Sequence, residues 1–94
     1  MDIENKIQLS SKNMEITPAI KELTLKKVTK LFHHNQDIMH IHLTFIVEKL
    51  SMITQADIHL SKHNIHASEK ADDMYKSIDG LMHKLDTQLK KLKK

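Results

Sequence analysis

The sequence predicts an α+β domain of order β-α-β-β-β-α, a four-stranded sheet with two helices packed on one face. Three observations predict it. Apolar residues recur with a helical period over residues 17–32 and again over residues 69–94. Between those stretches the period falls to two, from Ile38 to Lys49 and again over residues 54–61 and 64–68. Helices and strands of this amphipathic kind each have one apolar side to bury, and stacking two helices on a sheet buries all of them.

Residues 5–11 alternate weakly, with Ile7 and Leu9 on one face, and read as a short first strand. Glu15-Ile16-Thr17-Pro18 starts a helix: Thr17 caps the exposed amides, and Pro18 fits the first helical position, where its missing N–H costs nothing. The helix runs to about Phe32 and turns Ile20, Thr24, Val28 and Leu31 inward, with Leu23 nearby. Lys26 and Lys30 point away from that stripe, Lys21 sits nearer its edge, and the Lys27 stem snorkels along it. The polar stretch HHNQD, residues 33–37, is the exit loop.

In the long second strand Met39, Ile41, Leu43, Phe45 and Val47 share one face, while His40, His42, Thr44 and Glu48 lie on the other, which Ile46 interrupts. The last two strands join at Lys62-His63, a turn without the usual glycine. Ser68 is the expected cap of the final helix, and Glu69, Asp72 and Asp73 complement its N-terminal dipole. On a wheel centred on Ile78, Ala71, Met74, Leu81, Leu85, Leu89 and Leu92 form the core stripe. Asp72, Asp79 and Asp86 form a column along one flank, and Lys70, Lys84 and Lys91 run up the other, with Ser77 at the missing heptad position. Packed side by side, the two helices set their basic flanks against each other across the groove between them.

Ninety-four residues make one domain, expected to span 1–94 as a single unit with no C-terminal dimerisation domain. There is no cysteine, hence no disulfide and no thiolate metal site. No secretion signal or membrane span is apparent, so a soluble cytoplasmic monomer is expected. Residues 17–34 carry a net +3 and residues 69–94 a net +2, which leaves −2 for the remainder of a chain whose total is +3. Sorted cationic helices of this kind meet phosphate. All the cations are Lys, a flexible point charge suited to backbone phosphate and not to bidentate base readout. Phe32, Phe45 and Tyr75 are too few for a single-strand stacking platform.

Eight histidines suggest a metal site at first sight, but no helical pair at four-residue spacing supports one. Neutral histidine on a polar sheet face is the better account, with His66 making a structural hydrogen bond on the last strand; no metal or other cofactor is expected. The aspartate column is spaced about 10 Å per step along the helix axis, too far for an acid–base pair. No nucleophile–base pair or phosphate loop is present, so the chain reads as a non-enzyme with no small-molecule substrate. Gly80, the only glycine, lies mid-helix at a cost of about 1 kcal/mol relative to Ala, and close approach of an RNA backbone is one reason to keep it.

The chain resembles the bacterial ribosome hibernation factors, the ribosome-associated inhibitor and sigma-54 modulation protein family. The resemblance rests on Glu15-Ile16-Thr17, Val47-Glu48-Lys49, Ile65-His66-Ala67-Ser68, Asp73-Met74-Tyr75, Ile78-Asp79-Gly80-Leu81, Lys84-Leu85 and Gln88-Leu89, and covers essentially the whole chain. It departs from the family pattern at Ser11 and at Lys62-His63, where glycine is common. The resemblance implies a topology similar to a double-stranded-RNA-binding domain and a translation inhibitor of stationary phase and stress. Such a protein binds the small subunit and the 70S ribosome at the decoding channel, excluding mRNA and tRNA. The short, hibernation-promoting members, which the chain resembles most, form inactive ribosome dimers together with a separate ribosome modulation factor. By position the family's basic residues fall on Lys21, Lys27 and Lys30 and on Lys84, Lys91 and Lys93; with Lys70 from the basic flank, these are the expected rRNA contacts. A stand-alone structured-RNA regulator is the alternative, and a protein-interaction module using the acidic column is a third.

Overall fold

The computed structural model describes residues 3–92, so Lys93 lies outside the described residues. After a short 3-10 turn, Ile3–Lys6, the order is β1 (Ile7–Lys12), α1 (Pro18–His34), β2 (Ile38–Glu48), β3 (Ser51–Leu60), β4 (Asn64–Ala71) and α2 (Met74–Leu92). This is the predicted α+β architecture. The strands lie in the order β1-β2-β3-β4. β1 runs parallel to β2, because α1 carries the chain back across the sheet, and β2, β3 and β4 form an antiparallel meander.

Thr17 caps α1 as expected: its hydroxyl accepts from the Ile20 amide at 3.2 Å. The inward residues Ile20, Thr24, Val28 and Leu31 are buried, and Phe32 joins them. Beneath the helices lie Ile41, Leu43, Phe45 and Ile58, all without solvent exposure, against Ile78, Leu81 and Leu85 of α2. Met39 departs from the expected face and is 60% exposed. A register shift between Ile38 and His40 lets Ile38 take the buried position and pushes Met39 out.

The boundary before α2 is the main correction. Ser68, Glu69, Lys70 and Ala71 extend β4, paired with Gln55, Thr54, Ile53 and Met52. A helix begun at Ser68 would strip those β3 residues of their ladder partners. Asp73 caps instead: Tyr75 N–H donates to its carboxylate at 2.7 Å, and Ser77 N–H to its carbonyl at 3.0 Å. Ser77 is therefore not part of a basic flank. It is fully buried, donates to the Glu69 carbonyl at 2.9 Å and meets the Thr54 hydroxyl at 2.9 Å, locking the first turn of α2 onto β3 and β4. The two family glycines are replaced without a shared strain. The left-handed residue after β1 is Asn13, a type that tolerates φ of 62°, and neither Lys62 nor His63 takes a positive φ.

Candidate nucleic-acid interface

α2 lies over β3 and β4, and a cleft lined by Ile7, Leu9, Ile16, Lys21 and Leu25 opens between β1 and the outer flank of α1. Each helix thus has one flank toward the other helix and one toward a sheet edge. Lys27 Nζ reaches Asp79 Oδ1 across the helices at 2.8 Å, so the acidic flank of α2 faces α1. The basic flank faces β4: Lys84 Nζ donates to the Ser68 carbonyl at 2.8 Å and pairs with Glu69 at 2.7 Å. The expected meeting of two basic flanks across the groove does not occur. The wheel gave the angles correctly, but strand order decides which flank of α2 looks toward α1.

The six sequence-selected lysines among the described residues consequently divide. Lys21 sits on the β1 side of α1, Lys27 in the interhelical groove and Lys84 on the β4 side of α2, while Lys30 of α1 and Lys91 in the last turn of α2 are exposed. Lys70, expected on a helix, is on β4 opposite Ile53, and its side chain points to the face of the sheet that carries no helix. Asp72 likewise lies outside α2, paired with Lys76 at 3.4 Å, and Asp86 holds Lys90 at 3.2 Å.

Charge compensation sorts the cations further. Lys27, Lys76, Lys84 and Lys90 each hold a carboxylate, whereas among the described residues Lys21, Lys26, Lys30 and Lys91 hold none. Lys26 and Lys30 project outward from α1 and Lys91 from the last turn of α2, all exposed. The outer surface of the helix layer therefore presents uncompensated ammonium groups, a surface that attracts polyanions. Lys26, outside the sequence-selected set, shares this exposed surface. Its outward angle was readable, but the pairing that withdraws its neighbour Lys27 into the groove was not. Among the described residues no group of three or more His, Asp or Glu is arranged to hold a metal ion.

Gly80 has a partner inside the chain. A Cβ built there would come within 2.7 Å of Glu69 Oε2 and 2.8 Å of its Cδ and Cγ. The close approach is made by the side chain that pairs with Lys84. Gly80→Ala is therefore expected to gain less than the ~1 kcal/mol of helix propensity, because Glu69 must move. In a Glu69→Ala background the same change should recover close to that full gain. Urea denaturation of the four proteins checks this, and equal gains in both backgrounds would remove Glu69 from the explanation.

A family model described as Sigma 54 modulation protein / S30EA ribosomal protein matches residues 7–94. Two proteins named ribosome hibernation promoting factor are similar over 87 residues, 93% of this chain and 92% of each relative: one from Klebsiella oxytoca at 38% identity and one from Escherichia coli K12 at 37%. The solved structure of a ribosomal subunit interface protein from Coxiella burnetii superposes with a TM-score of 0.84 at 42% identity, covering 93% of this chain and 96% of that one. The N-terminal domain of Protein Y from Thermus thermophilus gives 0.82 at 26% identity, covering 90% and 94%.

Proposed function

Because the chain belongs to the Sigma 54 modulation protein / S30EA ribosomal protein family, we propose that it is a ribosome hibernation factor. It binds the small subunit and the 70S ribosome at the decoding channel and excludes mRNA and tRNA by occupancy, with no chemical step. Together with a ribosome modulation factor it gathers idle ribosomes into inactive dimers. The observation that carries this reading is the uncompensated cation layer, Lys26, Lys30 and Lys91, on the helix side of a fold whose relatives are named for ribosome hibernation. Folded rRNA offers a dense phosphate surface to that layer, and Lys21 and Lys84 extend the contact toward the two sheet edges. Lys27 holds α1 against α2 through Asp79 and positions its neighbours.

Sedimentation of ribosomes through a sucrose gradient tests the proposal. The chain alone is expected to migrate with the small subunit and the 70S particle, and a dimer peak is expected only when a modulation factor is added. Chain left at the top of a low-salt gradient would reject ribosome binding. Affinity should fall about 10³-fold or more between 50 and 200 mM salt if about six phosphates are contacted. A salt-independent affinity would instead favour a protein partner.

A further inference from the structure

The face of the sheet opposite the helices has no role in the docking above. Strand alternation brings half of the eight histidines to one end of it: His40 and His42 on β2, His59 on β3 and His66 on β4. His40 lies across from His59, with ring centroids 6.0 Å apart, and Asp57 lies between His42 and His66. The hydrogen bonds fix how these rings are held. His66 Nδ1 donates to the Asp57 carboxylate, and His59 Nδ1 to the Asn64 side-chain oxygen at 3.0 Å, which leaves the Nε2 edge of both exposed rings uncommitted. His42 Nε2 meets the Ser10 hydroxyl at 2.8 Å.

The other charges on this face are Lys12 on β1, Glu48 on β2, Asp57 on β3 and Lys70 on β4. With neutral imidazoles Lys12 and Lys70 are balanced by Glu48 and Asp57, and the face has no net charge. With His40, His42, His59 and His66 protonated it carries +4. Imidazole is the side chain whose charge changes between pH 5 and 8. A protein partner would need exposed apolar or aromatic anchors. Among the described residues this face offers Ile46 and Ile53, half-buried against each other between Lys12 and Lys70, and a single exposed Met39 at the register shift beside His40, with no aromatic side chain.

We propose that the open sheet face is a second binding surface for RNA phosphate, switched on by protonation of its four histidines. Lys12 and Lys70 supply the permanent charge at one end, and the Nε2–H edges of protonated His59 and His66 donate to phosphate oxygens at the other. Lys70 thereby keeps an RNA contact, from the face opposite the one its sequence position suggested. The inference extends the ribosome reading without depending on it, since any structured RNA supplies the same phosphates.

Equilibrium binding of the full chain to purified small ribosomal subunits, and separately to a short RNA duplex, tests it at fixed ionic strength. Both affinities are expected to rise about tenfold from about pH 8 to about pH 6. The variant H40Q/H42Q/H59Q/H66Q should lose most of that rise and keep the affinity at the higher pH. H59Q/H66Q, which changes two exposed rings only, should lose about half of the logarithmic rise and decides the matter if the fourfold variant fails to fold. Lys12→Gln with Lys70→Gln should weaken binding at both pH values and leave the rise intact. Wild-type binding indifferent to pH, or a rise that survives in the histidine variants, would overturn the proposal. No binding to subunits at either pH, with duplex binding still pH-dependent, would reject the ribosome reading and support this face.

Discussion

Replacing Lys26, Lys30 and Lys91 together by glutamate is expected to weaken small-subunit binding about a hundredfold or more at physiological salt. The slope of log affinity against log salt should fall by about 3, one for each phosphate that is no longer neutralised. These three are chosen because none holds a carboxylate among the described residues, so reversal breaks no ion pair and leaves α1 and α2 in place. The thermal midpoint should therefore stay close to wild type. A matched control reverses Lys6, Lys49 and Lys62, which precede β1 and sit at the two hairpin turns. It applies the same change in net charge at the ends of the sheet and should cost less than about fivefold, since long-range charge is screened beyond about 8 Å. Filter binding or gradient co-migration over a salt series reads both variants. Equal losses would show that net charge, and not the helix surface, governs association.

Lys84 behaves differently from those three, and the reason is instructive. Its ammonium is already bound to Glu69 and to the Ser68 carbonyl, so an RNA phosphate must displace or share an internal partner. The helical wheel placed Lys84 and Lys91 on one flank, yet only β4 could reveal that a carboxylate waits beside the first. Local periodicity carried most of the fold: the cap at Thr17, the buried face of α1, Ile41, Leu43 and Phe45 of β2 and Met74, Ile78, Leu81, Leu85 and Leu89 of α2 follow from residue spacing, whereas Met39 and Leu92 are exposed and Ala71 belongs to β4. What local spacing could not carry was the end of β4. Glu69-Lys70-Ala71 continues a helical pattern as readily as a strand pattern, and ladder pairing with Met52, Ile53 and Thr54 decides between them. That one boundary moved Lys70 to the opposite face of the sheet, returned Asp72 to the turn and put Ser77 in the core. The assignment of α2's acidic flank to the interhelical groove likewise needed strand order, a non-local fact. The alternation of the histidines does predict a polar sheet face, but their convergence around Asp57 required the register of three strands.

Phe45→Ala should cost about 3–5 kcal/mol, a large share of the ~5–15 kcal/mol that holds a small domain folded. Phe45 has no solvent exposure and packs in one cluster with Ile20 of α1 and Met74 and Ile78 of α2, so at this end of the core it supports both helices against β2. Truncation removes the aromatic surface and leaves a cavity that three separate elements must collapse to fill. Thr54, its cross-strand neighbour, is itself tied to Ser77 by a hydroxyl contact at 2.9 Å, which restricts how far β3 and α2 can relax inward. Leu50, at the β2–β3 turn and 90% exposed, provides the contrast: Leu50→Ala should stay within about 0.5 kcal/mol of wild type. Urea denaturation measures both, and a loss below about 1 kcal/mol for Phe45→Ala would mean that the two helices do not share this support. The two largest perturbations are then separable in kind. Reversing Lys26, Lys30 and Lys91 should weaken ribosome association about a hundredfold or more in a protein that still unfolds at its wild-type midpoint. Phe45→Ala should lose association only in proportion to the fraction unfolded, with the salt slope of the remaining folded molecules unchanged, because none of its packing partners belongs to the lysine-bearing surface.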